Sequence, residues 1–202
     1  MFLHIGTVEF EPGQRAAFAA GRLRQRWWRE YPELFEPQDA VLAKNQRAYH
    51  FYEWLAAIIL HQATGYHCLV GKYQFNNHPR KRAALAKLLN PAVRELLDGR
   101  TTWGRTQGPD LLMYAPDHSD WFFCEAKGPR DTLSERQRGF FSALGDASGK
   151  AIRLIEFQRL RTAKAASVNR ASNPSLQRTG AALLAPAAEA ARSAHKRRDT
   201  AP

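Results

Sequence analysis

Two apolar runs, Asp110 to Ala115 and Trp121 to Lys127, are separated only by Pro116-Asp117-His118-Ser119-Asp120, a turn by composition. No other feature restricts the fold as tightly. Strands joined so closely pair antiparallel, and the centre of the turn fixes their register. With that centre midway between Asp117 and His118, Asp110 faces Glu125 across the ladder, both side chains on one side of the sheet. Strand period two puts Lys127 on that side as well. Two carboxylates and an ammonium therefore converge beside Leu111, Leu112, Phe122 and Phe123. Opposed like charges repel, so a cation belongs between them, and a hard divalent ion with oxygen ligands suits two carboxylates. On spacing alone, a plain ion-paired hairpin accounts for the same three residues.

The rest of the chain supplies the elements that such a hairpin needs around it. Phe2 to Phe10 reads as a short strand. After Pro12-Gly13, Arg15 to Arg29 reads as one helix, broken by Tyr31-Pro32 and Glu36-Pro37. A longer helix is expected from Asp39 to Gln62, ending near Thr64-Gly65, followed by a strand from Tyr66 to Phe75. Asn77 to Leu89 reads as a basic helix. Asn90-Pro91 reads as an N-cap with proline at the first position of the next helix, which Gly99 ends. Beyond the hairpin, Thr132-Leu133-Ser134-Glu135 fits a capping box opening a helix to about Leu144, before Gly145, and Ala151 to Phe157 reads as a final strand. This succession predicts an α/β fold with a mixed β-sheet flanked by helices. Residues 1–44 read as an N-terminal helical extension and 45–163 as the central domain. Residues 164–202 read as a basic, Ala-rich disordered tail, since no aromatic residue occurs after Ala165. An amphipathic helix at Ala181 to Ala194 is the rival reading of that tail.

Composition narrows the function classes. Thirty basic against 19 acidic side chains give a net charge of +11. The tail accounts for only a minority of that excess, so the body is basic without it, which favours a polyanionic partner such as nucleic acid or a lipid surface. No run approaches the roughly 18 apolar residues of a membrane span. The segment from Met1 to Gly6 lacks the basic start and long apolar stretch of a secretory leader. Cys68 and Cys124 lie in apolar, strand-like segments and read as reduced core residues, so a cytoplasmic protein with no membrane partner is expected.

The residues flanking the hairpin are more specific. Gly108-Pro109-Asp110, followed by Glu125-Ala126-Lys127-Gly128-Pro129-Arg130-Asp131-Thr132-Leu133-Ser134-Glu135-Arg136-Gln137, resembles the VRR-NUC family of the PD-(D/E)xK nuclease superfamily. That family pattern is a Gly-Pro-Asp strand start, a Glu-x-Lys-Gly-Pro strand end, Asp-x-Leu-Ser and a Gln on the next helix. The resemblance covers about residues 104–157 and extends weakly upstream to about Glu53. It implies a restriction-endonuclease-like PD-(D/E)xK core and a Mg²⁺- or Mn²⁺-dependent nuclease hydrolysing DNA phosphodiester bonds. It is similar to structure-specific enzymes of DNA repair and junction processing that act on branched or flapped DNA, and whose small members pair as homodimers. By the same resemblance, Asp110 and Glu125 hold the metal with the backbone carbonyl of Ala126, Lys127 is the catalytic lysine, and Glu53 joins from the first core helix. Gln137 hydrogen-bonds toward the site or the DNA backbone. Asp131 stands as either a helix cap or a functional group.

Arg80, Lys81 and Arg82, with Lys87 nearby, form a basic surface ahead of the site. With Arg105 and Arg130 they are the candidate nucleic-acid contacts. Arg22, Arg24, Arg26 and Arg29, interleaved with Trp27 and Trp28, read equally as a phosphate grip with base-stacking rings or as a solvated helix face over two core tryptophans. His61, His67 and Cys68 fit no usual zinc spacing and read as buried structural residues. The alternative function is a catalytically inactive nucleic-acid-binding module of the same fold, against which the intact Asp110, Glu125 and Lys127 weigh. A membrane-surface protein acting through its tail is the third reading.

Overall fold

In the computed structural model, which describes residues 2–46, 50–71, 73, 79–98 and 108–160, the two hairpin strands pair as the turn demands. Strand β3 (Leu111–Tyr114) runs antiparallel to β4 (Trp121–Lys127), with Leu111 opposite Cys124, Leu112 opposite Phe123, Met113 opposite Phe122 and Tyr114 opposite Trp121. Ala115 and Asp120 close the turn at 2.8 Å, and Asp117 accepts from the amide of Ser119 at 2.9 Å. Every residue of β3 is buried, as befits a strand covered on both faces. Strand β2 (His67–Val70) adds antiparallel to β3, β5 (Ile152–Arg159) adds parallel to β4, and β1 (Phe2–Phe10) adds parallel to β5. The order is β1-β5-β4-β3-β2, a five-stranded mixed sheet flanked by helices.

The helices differ from the sequence reading where distant contacts intervene. Arg15 to Arg29 is not one helix: α1 (Pro12–Ala19) and α2 (Arg22–Glu30) are separated at Gly21, which sits in the left-handed region at φ 93°. The expected helix from Asp39 to Gln62 is likewise two, α3 (Pro37–Asn45) and α4 (Phe51–Thr64), with His50 at φ 68° before α4 and residues 47–49 outside the described set. Glu36-Pro37, read as a breaker, starts α3. Glu36 and Asp39 cap each other reciprocally, and Pro37 occupies a first-turn position where its missing N–H costs nothing. The strand expected over Tyr66 to Phe75 is shorter, since β2 covers His67–Val70 and neither Gly71 nor Tyr73 continues it; residues 72, 74 and 75 lie outside the described set.

Two more helices, α5 (Pro79–Leu88) and α6 (Pro91–Leu97), follow; Asn90 caps α6 as read, accepting from the Val93 amide at 2.9 Å, while Gly99 lies outside the described residues. The last helix, α7 (Glu135–Ser148), is capped by Ser134 with Gln137, not by Thr132 with Glu135, and it runs through Gly145 to end at Gly149. The stretch from Met1 to Thr162 forms one compact unit, and the tail reading lies outside the described residues.

Apolar side chains collect on both faces of the sheet. On one, Leu112, Phe123 and Ile152 meet Phe140, Phe141 and Leu144 of α7 together with Leu88, Val93 and Leu97. On the other, α4 packs on β2, β3 and β4, and an aromatic cluster gathers around it. Phe35 stacks on Trp54 with ring centroids 3.8 Å apart, and Phe18 meets Phe51 and Trp54 edge-on. Burying side chains of this size stabilises the fold by about 2–3 kcal/mol each. The N-terminal segment is thereby part of the same body: β1 is a sheet strand, and Phe18 of α1 is fully buried. Such packing fixes the first turn of α4 beside the start of β3 and the end of β4, where Asp110, Glu125 and Lys127 stand.

Candidate active site

Asp110 and Glu125 stand one step beyond the last β3–β4 pair and continue its register. The Asp110 amide donates to Glu125 Oε2 at 3.1 Å, and the Ala126 amide donates to Asp110 Oδ2 at 3.0 Å. Each carboxylate is thus held by the neighbouring strand's backbone. Lys127 shares the face of Glu125, as period two requires, and its Nζ lies 2.7 Å from Glu125 Oε1. Gln137, in the first turn of α7, donates from Nε2 to the same oxygen at 3.2 Å, while its Oε1 accepts from the Ser134 amide. One residue therefore caps a helix and braces the site.

These groups line an open pocket of about 610 Å³, which also receives Glu53 and His50 from the start of α4 and Arg15 from α1. Glu53 is half-buried in the first turn of α4 and bonds His50 Nδ1 at 2.6 Å. Asp131 caps no helix: its Oδ2 accepts from the Gly128 amide at 3.0 Å in the turn leaving β4. Gly128 itself permits a close approach, since a Cβ there would lie 2.4 Å from the Tyr52 ring. The Ala126 carbonyl belongs to the last stretch of β4, and Ala126 lines the pocket.

Charge in this pocket is unbalanced. Burial, then the nearby charges of Glu125 and Glu53, push the Asp110 carboxyl well above its ordinary value, against the Ala126 amide and Lys127. Burial also raises Glu125, although Lys127 and the Asp110 amide pull it down. The repulsion between the pair is what a divalent cation would relieve, so the donor chemistry fits one. Two carboxylates leave such an ion positions for water and a phosphate oxygen. Among the described residues, no group of three or more His, Cys, Asp or Glu is arranged to hold a metal.

The basic residues fall out differently from the sequence reading. Lys81, expected on a DNA-facing surface, has no exposed area at all. Its Nζ lies 2.5 Å from Asp39 Oδ1 and 3.2 Å from the Val70 carbonyl, because α5 turns it inward on the same stripe as Ala84 and Leu88. Arg80 is committed to Glu36, to the Glu33 carbonyl at 3.0 Å and to Tyr114 Oη at 3.3 Å. Arg82, Lys87 and Arg130 are exposed, and Arg105 lies outside the described residues. Arg24 is also buried, donating to the Ala43 carbonyl at 3.1 Å and tying α2 to α3. Its neighbours Arg22, Arg26 and Arg29 are exposed, while Trp27 is core and Trp28 is at the surface. His61 bonds Glu33 and the Tyr66 carbonyl, and both cysteines are free and buried.

Two residues that sequence reasoning passed over, His50 and Arg15, line this pocket. Tyr73 is fully buried, and after burial itself Asp110 and Glu125 do most to raise its hydroxyl pKa. The His-x-x-Glu spacing of His50 and Glu53 was a readable signal, since the residue that caps a helix start lies beside the one three positions on in the first turn. No family model matches the chain, and the comparison with curated proteins found no match. No helix among the described residues is long and apolar enough to cross a membrane.

Proposed function

We propose that this protein is a Mg²⁺- or Mn²⁺-dependent nuclease that hydrolyses DNA phosphodiester bonds, with the sheet and its hairpin forming a PD-(D/E)xK core of the VRR-NUC kind. The observation that carries the reading is the convergence of Asp110, Glu125 and Lys127 on one open pocket, in the register that the centre of the hairpin turn predicts. Asp110 and Glu125, with the Ala126 carbonyl, are the residues to hold the ion, and Glu53 stands beside them. When bound, such an ion supplies Lewis-acid activation of water and neutralises phosphate charge.

The chain's own groups do the rest. The Ala126 and Asp110 amides hold the two carboxylates in place before substrate arrives, which lowers the cost of assembling the site. Gln137 and Lys127 fix Glu125 from opposite elements. The Lys127 ammonium is the positive charge placed to orient an attacking water and to stabilise charge developing at phosphorus. Exposed Arg82 and Arg130 are suited to backbone phosphates. Repair or junction processing is the role in keeping with the motif resemblance.

The test is cleavage of plasmid, linear, flapped and branched DNA by purified protein, with and without Mn²⁺. Divalent-dependent cutting that Asp110→Asn removes supports the proposal. Binding without cutting on every substrate points to a nucleic-acid-binding module of the same fold and overturns it.

A further inference from the structure

The pocket that holds Asp110, Glu125 and Lys127 has a second end, built from other residues: Tyr52 of α4, Arg15 of α1, and Asp131 in the turn leaving β4. The Tyr52 ring is packed 5.4 Å from the rings of both Phe10 and Phe157. Its edge beside the hydroxyl reaches the turn after Lys127, where a Cβ on Gly128 would lie 2.4 Å from Tyr52 Cε2. The hydroxyl is buried there, and among the described residues it finds no hydrogen-bond partner. Buried phenols generally have one, so a bare hydroxyl at a pocket wall is suited to an acceptor that a ligand brings.

The charge around it indicates which acceptor. Arg15 Cζ lies 5.6 Å from the centre of the Tyr52 ring. Arg15 precedes the fully buried Phe18 by three residues, so both leave α1 on the side that packs on α4. Burial raises the pKa of the Tyr52 hydroxyl; the charges of Arg15 and then of the exposed Arg159 are the first to oppose it, and Asp131 acts the other way. Asp131 already accepts from the Gly128 amide at 3.0 Å. Two guanidinium groups against one carboxylate leave this end basic, whereas Asp110, Glu125 and Glu53 outnumber Lys127 at the other. A polynucleotide strand presents phosphates in succession, so a strand seated at the acidic end carries a second phosphate toward the basic one. We propose that Arg15 and the Tyr52 hydroxyl form a subsite for a phosphate next to the one that reacts; this rests on the nuclease reading above. The guanidinium fork matches phosphate oxygens, and the phenol adds a neutral donor. Neither residue lies in the stretch that resembles VRR-NUC.

The experiment is fluorescence anisotropy of an end-labelled DNA duplex with the full chain in metal-free buffer, from about 50 to about 200 mM NaCl. The parent is compared with Arg15→Ala, Arg15→Lys and Tyr52→Phe. One lost phosphate contact lowers the slope of log affinity against log salt by about one. Arg15→Ala should show that loss, and Arg15→Lys should keep the parent slope because a charge remains. Tyr52→Phe should keep the parent slope and Tm, yet bind about 5-fold more weakly, since a neutral donor releases no counterion. A parent slope in Arg15→Ala, parent affinity in Tyr52→Phe, or a Tyr52→Phe loss that comes with a lower Tm overturns the subsite, as does a parent protein that binds no DNA. These readings need neither metal nor cutting. If they appear but the parent cuts no DNA with Mn²⁺, the nuclease reading falls and the phosphate subsite stands. If Asp110→Asn removes cutting while Arg15→Ala keeps the parent slope, the subsite alone falls.

Discussion

Two buried ionic clusters in this protein contain the same kinds of group and behave oppositely. Asp39 and Lys81 pair one to one between α3 and α5, and Lys81 spends a further bond on the Val70 carbonyl. Asp110, Glu125 and Lys127 combine two acids with one base and open onto a pocket, with Glu53 adding a further negative charge. Burial raises the pKa of an acid in each cluster, but at Asp39 the opposing influences come first from Lys81, whereas at Asp110 the next influence after burial is another carboxylate. A closed, neutral pair is a structural solution to burying charge. An open, acid-rich cluster asks for a cation from outside. Residue type alone does not separate the two; charge balance and access do.

The strongest break in that comparison is removal of a site carboxylate. Asp110→Ala or Glu125→Ala should leave the fold intact, with an unchanged or raised Tm because repulsion is relieved. Cleavage should fall by about 10³-fold or more, since an ion's charge stabilisation is worth several kcal/mol. Single-turnover rates and thermal melts on the same samples check both halves, and full activity in either variant removes the assigned site.

Lys81→Met should do the reverse. It strands Asp39 in the interior and should cost about 3–5 kcal/mol of stability, read by urea unfolding. Lys81→Met/Asp39→Leu should recover most of that loss. If Lys81→Met instead weakens DNA binding with no loss of stability, the pair is not structural.

Lys127→Met sharpens the contrast further, because Lys127 is the site's only lysine among the described pocket residues. Divalent ion and DNA should still bind with little change. The rate should fall by roughly 10²-fold through loss of charge aimed at the reacting phosphorus, worth about 3 kcal/mol. A rate loss that merely follows weaker DNA binding, and shrinks at high salt, marks a surface lysine instead.

The smallest effect is in pH. Asp110 and Glu125 both lie above their ordinary values of 3.8 and 4.5, so the folded state binds protons more tightly than the unfolded one. Their contribution is fully present below those ordinary values and is lost as pH rises through the folded ones. In metal-free buffer, melting at successive pH values above about 5 should therefore show stability declining with pH, and saturating Mn²⁺ should flatten the slope. Asp110→Asn/Glu125→Gln should flatten it as well; a slope that survives in that double variant belongs to other groups.

The hairpin was legible because its rules are local. Period two and a five-residue turn place Asp110 opposite Glu125 and Lys127 beside them, with no information from elsewhere in the chain. Gln137 was legible as a helix-start residue, although its bond to Glu125 depends on how α7 returns over the sheet. The breaks at Gly21 and His50 were hidden inside runs of good helix formers, where tertiary contacts override propensity. Lys81 was misplaced for a related reason. Its three- and seven-residue spacing from Ala84 and Leu88 marked a buried stripe, but a lysine reads as solvated unless its partner is known.

What the sequence determined by itself, then, is the chemistry of one end of the sheet: which residues sit in register, on which face, and with what excess of negative charge. The tertiary structure decided which charges meet water. Asp39 and Lys81 are 42 residues apart, and Gly71 brings Asp110 within reach of Glu53 and His50 from a third segment. Desolvation depends on every element packed around a group, whereas strand register depends only on the residues in the strand and its turn.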